Sequence, residues 1–260
     1  MTRDINAVTD ALFARGVGGV VVKDFHRTGY NLIPPYLDKR VKLVSGYYTG
    51  PAIGYGNLHG ADFALFVGIH AAGGNEKGFL AHTLTSRIAE ILINGKRTCE
   101  SELFAAVLSA FRVPVVFFSG CPAACQEVEE RMPWVATCAV PKDLSTEKDE
   151  SKKKEWVAHI RDGLRQRIKE MPAIEGLPLL IMNPPFDCRV IFHEEAEARR
   201  MNPWGFPQEG KVIYFRSEEF LDMYQNLLKI AYFPKLAYSL RCLVLPLARA
   251  AWKIQSLKHL

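Results

Sequence analysis

Residues Thr2 to Arg15 place Ile5, Val8, Leu12 and Phe13 at helical spacing, with Thr2 as a cap and Gly16 as the stop, which predicts an amphipathic helix. The chain passes straight into Val17-Gly18-Gly19-Val20-Val21-Val22-Lys23, a short β-branched run that predicts a strand buried on both faces. The cadence recurs at Val41 to Val44, Phe63 to Gly68 and Val113 to Phe118, with helical patterns over Glu100 to Phe111 and Cys125 to Arg131. Strands alternating with helices predict an α/β fold, a mostly parallel sheet covered by helices.

From Lys142 to Lys154 the pattern dissolves into a run of charges that reads as a solvated connector and a domain boundary. A helix follows from Trp156 to Met171, its apolar face set by Trp156, Ile160, Leu164 and Ile168. Strand candidates at Leu179 to Met182, Arg189 to Phe192 and Lys211 to Phe215, and a helix over Glu218 to Tyr232, give the second part a smaller α+β character. The expected organisation is an α/β domain over 1–142, an α+β domain over 143–233 and a basic amphipathic helical tail over 234–260. In the tail, Leu236, Leu240, Leu243, Leu247, Ala251, Ile254 and Leu257 alternate with Lys and Arg, with a bend expected at Pro246. Packing of this face on its own protein or a neighbouring subunit is expected, in preference to a membrane surface.

Composition narrows the class. Of 260 residues, 48% are hydrophobic and 23% charged, enough apolar content for one large core or two unequal ones. The formal charge of +5 is mild, and basic and acidic residues are interleaved through most of the chain, which argues against nucleic acid as a partner. Six cysteines without repeated spacing predict reduced thiols, Cys121 and Cys125 included. The polar start and the lack of a long apolar run predict a cytoplasmic protein.

The chemistry gathers at strand ends, where open α/β sheets collect their ligands. His26 follows the first strand in Lys23-Asp24-Phe25-His26, and His70 follows the strand ending Gly68-Ile69-His70. Either histidine alone reads as structural; two at strand ends of one sheet read as ligands. His82 lies beyond the glycine-rich Gly73-Gly74-Asn75, and Glu100 opens a helix, where spacing alone makes it a charge favoured by the helix dipole. Two imidazoles and a carboxylate suit zinc with an open position for water, the ligand set of a hydrolase.

In order along the chain, Met1-Thr2-Arg3-Asp4-Ile5-Asn6-Ala7, Asp24-x-His26, Asn31-Leu32, Leu43-Val44-Ser45-Gly46, Gly68-Ile69-His70-Ala71, Ala81-His82-Thr83, Ile93-Asn94-Gly95, Glu100 and Val113-Pro114-Val115 resemble the bacterial D-aminopeptidase family of zinc metallopeptidases. The resemblance is strongest between Gly19 and Gly120 and loose beyond the charged connector. It implies a two-zinc aminopeptidase that removes N-terminal D-residues, typically D-alanine, from short peptides, and assembles into a ring-shaped homo-oligomer. Carried over by position, His26, His70 and Glu100 match metal ligands, His82 the catalytic histidine, and Asp24 an acidic position that orients a ligand. Family members open with a strand ending in Asp-x-Glu-Gly, which supplies two metal-binding carboxylates, and Met1 falls downstream of it. The resemblance therefore also implies that the first family strand is absent here, and with it a second outcome: a catalytically impaired or truncated member acting as a scaffold.

Overall fold

Ile5, Val8 and Leu12 are buried along one face of α1 (Thr2–Ala14), as their spacing predicts, while Phe13 is only half-buried and Ala11 joins the buried face. The computed structural model describes residues 1–24, 26, 29–48, 56–58, 60–141, 148–233 and 235–257. After α1 come β1 (Val20–Asp24), a 3₁₀ turn at Pro34–Tyr36, β2 (Val41–Ser45), β3 (Ala64–Ile69), β4 (Ile88–Ile93) and β5 (Lys96–Arg97). Then follow α2 (Glu100–Ala110), β6 (Val115–Gly120), α3 (Pro122–Arg131), β7 (Ala136–Ala139) and α4 (Glu150–Lys169). The chain continues through β8 (Phe186–Phe192), α5 (Glu195–Met201), β9 (Gln208–Glu209), β10 (Val212–Ser217), α6 (Phe220–Tyr232), α7 (Lys235–Ser239) and α8 (Arg241–Leu257).

These elements form two compact units, each discontinuous in sequence. The first comprises Met1–Ala61, Asp143–Pro172 and Leu240–Leu260. In it β1 and β2 pair in parallel from Val20↔Val41 to Asp24↔Ser45. Helix α1 lies against α4, whose Leu164 and Ile168 are buried, and Arg161 reaches Asp4 at 3.0 Å. Asp149 caps α4 by accepting the Ser151 amide at 2.8 Å, so this helix begins before the expected Trp156.

The second unit comprises Asp62–Lys142 and Ala173–Ser239. Its parallel sheet has the order β3-β6-β7, and every residue of the central β6 is buried, as a strand covered on both faces requires. Helix α2 buries Ser101 through Leu108 without interruption, which marks it as a core helix rather than a surface one. The fold is thus α/β, with parallel strands flanked by helices. Beside them stands an antiparallel sheet of order β5-β4-β8-β10-β9, which takes β4 and β5 from before the charged segment and the others from after it. Met223, Leu227 and Ile230 of α6 are buried in this unit.

Residues 179–182, expected as a strand, are not one. Pro178 and the Pro184-Pro185 pair bracket the run and withhold amide donors, the Leu180 amide goes to Ser109 Oγ at 2.9 Å, and Ile181 is 73% exposed.

Candidate metal and catalytic site

A register shift sets up the site in the second unit. Val67 pairs with Ser119 and Ile69 with Gly120, leaving Gly68 (φ +79°) as an extra residue in β3, its amide bonded to Ser119 Oγ at 3.2 Å. Such a bulge bends the strand and re-aims the end of it, from which Ile69 leads directly into His70. The adjacent strand makes room: a Cβ on Gly120 would stand 2.5 Å from the Ile69 carbonyl oxygen. This close approach of two backbones next to His70 admits only glycine.

The segment leaving His70 folds back on itself. The His82 amide donates to the Ala71 carbonyl at 3.1 Å, and the Gly73 amide to Thr83 Oγ1 at 3.0 Å. Thr83, fully buried, donates onward to the Thr98 carbonyl at 3.1 Å. Glu127 on α3 secures the same loop, accepting the Ala72 amide at 2.9 Å and Asn75 Nδ2 at 2.6 Å.

This framework brings the two imidazoles together, ring centroids 4.7 Å apart and planes at 43°. His70 Nδ1 lies 3.1 Å from the Phe79 carbonyl, and His82 Nδ1 lies 2.7 Å from the Leu80 carbonyl. A carbonyl can only accept, so each Nδ1 donates, and in the neutral form of each ring the lone pair is left on Nε2. That tautomer suits a metal ligand or a base.

Glu100 stands at the first turn of α2 and accepts the Leu84 amide at 3.0 Å. Burial pushes its carboxyl above the usual glutamate range, opposed by positive charge on His82 whenever that ring is protonated and by the Leu84 amide. Leu84 is buried in the left-handed region at φ +66°; its carbonyl accepts the Tyr232 hydroxyl from the end of α6. Pinned on both its peptide groups, Leu84 holds a conformation that costs a branched side chain about 1 kcal/mol. Leu80, at φ +51°, is strained on the other side of His82. Among the buried neighbours, Glu102 is likewise pushed up by desolvation, with Arg131 at 3.7 Å as counter-charge.

His26 and Asp24 belong to the first unit. Asp24 is buried and accepts the Asn31 amide at 2.6 Å, Asn31 Nδ2 at 3.0 Å and the Leu32 amide at 2.9 Å. The same Asn31 amide group donates to the His26 carbonyl at 2.7 Å, so Asp24 bears on the backbone of His26 through Asn31, while the His26 side chain is exposed.

Of the five residues singled out from the sequence, the second unit brings together His70, His82 and Glu100. Catalytic zinc takes three protein ligands. Among the described residues no group of three or more His, Cys, Asp or Glu side chains is disposed to hold a metal ion, so His70 and Glu100 do not by themselves fit a zinc centre. Thr83, Leu84, Glu127 and Tyr232 support the site without any sequence signal beyond the glycines at 73 and 78. The six cysteines are free thiols, with burial pushing Cys99 and Cys125 up to about 12.

The sequence family described as D-aminopeptidase matches residues 1–228. A curated D-aminopeptidase from Bacillus subtilis (strain 168) is 30% identical over 145 residues, 56% of this chain. That alignment spans 53% of the relative, about half its length. Among solved structures, the fold resembles that of the Zn-dependent D-aminopeptidase DppA from Bacillus subtilis, described as a self-compartmentalizing protease, with a TM-score of 0.71. The two share 24% identity, over 90% of this chain and 86% of the other.

Proposed function

Because the chain belongs to the D-aminopeptidase family, we propose that it is an aminopeptidase that releases N-terminal D-amino acids, D-alanine among them, from short peptides. The observation that carries this reading is the pair of histidines 4.7 Å apart whose Nδ1 hydrogens are both committed to backbone carbonyls, beside the half-buried Glu100. In this reading His82 is the catalytic residue: its Nε2 accepts a proton from the water whose oxygen bonds to the peptide carbonyl carbon, and returns it to the amine that departs as the C–N bond breaks. Glu100 faces His82 and stabilises the imidazolium formed in between. Zinc dependence is proposed from the zinc-dependent neighbour, with His70, Glu100 and His26 as donors; the set is complete only with further donors, and no step is routed through the metal. A homo-oligomer is proposed on the self-compartmentalizing description of the same neighbour.

The second reading is a scaffold that keeps the fold without turnover, favoured by the lack of a three-donor group among the described residues. Purified protein assayed for zinc content and for release of D-alanine from D-Ala-D-Ala separates the two. Bound zinc with D-alanine release supports the enzyme. Metal-free protein that stays inactive when zinc is supplied supports the scaffold and removes the enzyme.

A further inference from the structure

Helix α8 is turned the opposite way from an ordinary surface helix. Its inward side carries Leu245, 4% exposed, and Arg249, whose Nη1 donates to the Tyr47 carbonyl at 2.7 Å and whose guanidinium lies 4.0 Å over the Tyr48 ring. Its outward side carries Leu243 and Leu247, 65% and 71% exposed, with Leu240 just before the helix at 43%. These positions recur at intervals of three and four and so line one stripe, which the exposed Ala250 extends. The sequence pattern alone reads as a face packed on protein; the observed orientation gives that face to solvent. An arginine turned inward and leucines turned outward cost stability unless a partner covers the leucines.

The charge of the segment says which partner. Between positions 234 and 260 stand Lys235, Arg241, Arg249, Lys253 and Lys258 without a single Asp or Glu. The whole chain has a formal charge of +5, so its entire excess lies in this segment and the remainder is formally neutral. Lys253 is exposed, ten residues beyond Leu243 and therefore beside the leucine stripe. A purely apolar protein groove would take the leucines but leave the basic excess of the segment unused, whereas an anionic bilayer draws on both features. No helix among the described residues is long and apolar enough to cross a membrane, so such an association lies along the surface.

We propose that α8 seats the protein on an anionic lipid bilayer, with Leu240, Leu243 and Leu247 entering the boundary between headgroups and acyl chains and Lys253 beside them meeting the lipid phosphates. The inference is independent of the proposed enzymatic activity, since none of these residues belongs to the histidine site.

The test is flotation of the full chain with phosphatidylcholine vesicles, with and without phosphatidylserine. The protein is expected to float with the anionic vesicles and stay behind with the neutral ones. The double variant Leu243→Ser/Leu247→Ser should lower partitioning by at least about tenfold, given the transfer free energy of two leucines. Lys253→Glu should lower it by about fivefold or more, the worth of a basic residue at an anionic surface, and added salt should act in the same direction. Because the substituted positions are exposed, melting temperatures should be unchanged; Lys253→Glu and the salt series keep the test decisive should the leucine variant fold poorly. Three results overturn the proposal: equal flotation with both vesicle types, no flotation with either, or a lipid-free oligomer that light scattering shows to fall apart in the leucine variant. The last would make the stripe a contact between copies of the chain.

Discussion

The histidine loop of the second unit and the His26 turn of the first are built on opposite plans. Around His70 and His82 the backbone grips the rings themselves, through the carbonyls of Phe79 and Leu80, and fixes which nitrogen holds the hydrogen. At His26 a buried carboxylate, Asp24, grips the backbone through Asn31 and Leu32 and leaves the ring exposed. The first plan prepares a tautomer and the second prepares only a position. Both rings of the second unit have the first, which serves a base and a metal ligand alike, so the roles proposed for His82 and His70 are separated by substitution rather than by their backbone contacts.

Substitutions can break that contrast, and the largest effect is expected at His82. His82→Ala should reduce D-alanine release by 100-fold or more, on the order of the 10²–10⁴ that a general acid–base group supplies, while leaving metal content unchanged. His70→Ala should lower activity and metal content together. Equal metal loss in both variants would erase the distinction between the two rings.

Next in size is Asp24→Ala, which strands the amides of Asn31 and Leu32 and should destabilise the protein by about 2–3 kcal/mol in urea unfolding. If the His26 turn supplies only position, Asp24→Asn, which keeps an acceptor, should recover much of that loss.

Gly120→Ala comes third, at about 2 kcal/mol, because the added methyl meets the Ile69 carbonyl backbone rather than a side chain that can swing away. Its effect on turnover should exceed its effect on stability, since the displaced carbonyl precedes His70 directly.

The smallest effect is a matter of sign. Burial raises the Glu100 carboxyl above its ordinary value of 4.5, so the folded state holds this proton more readily than the unfolded chain. The stability it contributes is present in acid and is lost as pH rises through the raised value. Glu100→Gln keeps the acceptor for the Leu84 amide, so in chelator-treated protein the variant should match the wild type near pH 4 and melt higher at pH 8. A gap that closes toward pH 8 would show the opposite sign and contradict the buried setting of the carboxyl.

How much of this the sequence discloses follows from the range of each interaction. Helix α1, strands β1, β2, β3 and β6, and helix α6 rest on local periodicity and on runs such as Val20-Val21-Val22, and they are legible. The position of His70 at a strand end was equally legible, because it depends on six preceding residues. Strand β4 was not: its Ala89-Glu90 breaks the apolar run, and it is held by pairing with β8, a hundred residues away. The left-handed turns at Leu80 and Leu84 carry no sequence signal, since leucine is the wrong residue to announce them and the bonds from Glu100 and Tyr232 that hold Leu84 come from other elements. The sequence thus names the candidate residues but not the backbone contacts that set their tautomers. The orientation of α8 is hidden for the same reason: periodicity defines a face and does not say which way it turns.

The central claim, that the backbone holds the hydrogen of each neutral ring of the second unit on Nδ1, is tested most directly by long-range ¹H–¹⁵N correlation spectra of histidine-labelled, metal-free protein at a pH high enough for both rings to be neutral. The account predicts the Nδ1–H tautomer for His70 and His82, identified by the loss of each signal in the corresponding alanine variant. A predominant Nε2–H tautomer at His82 would contradict it.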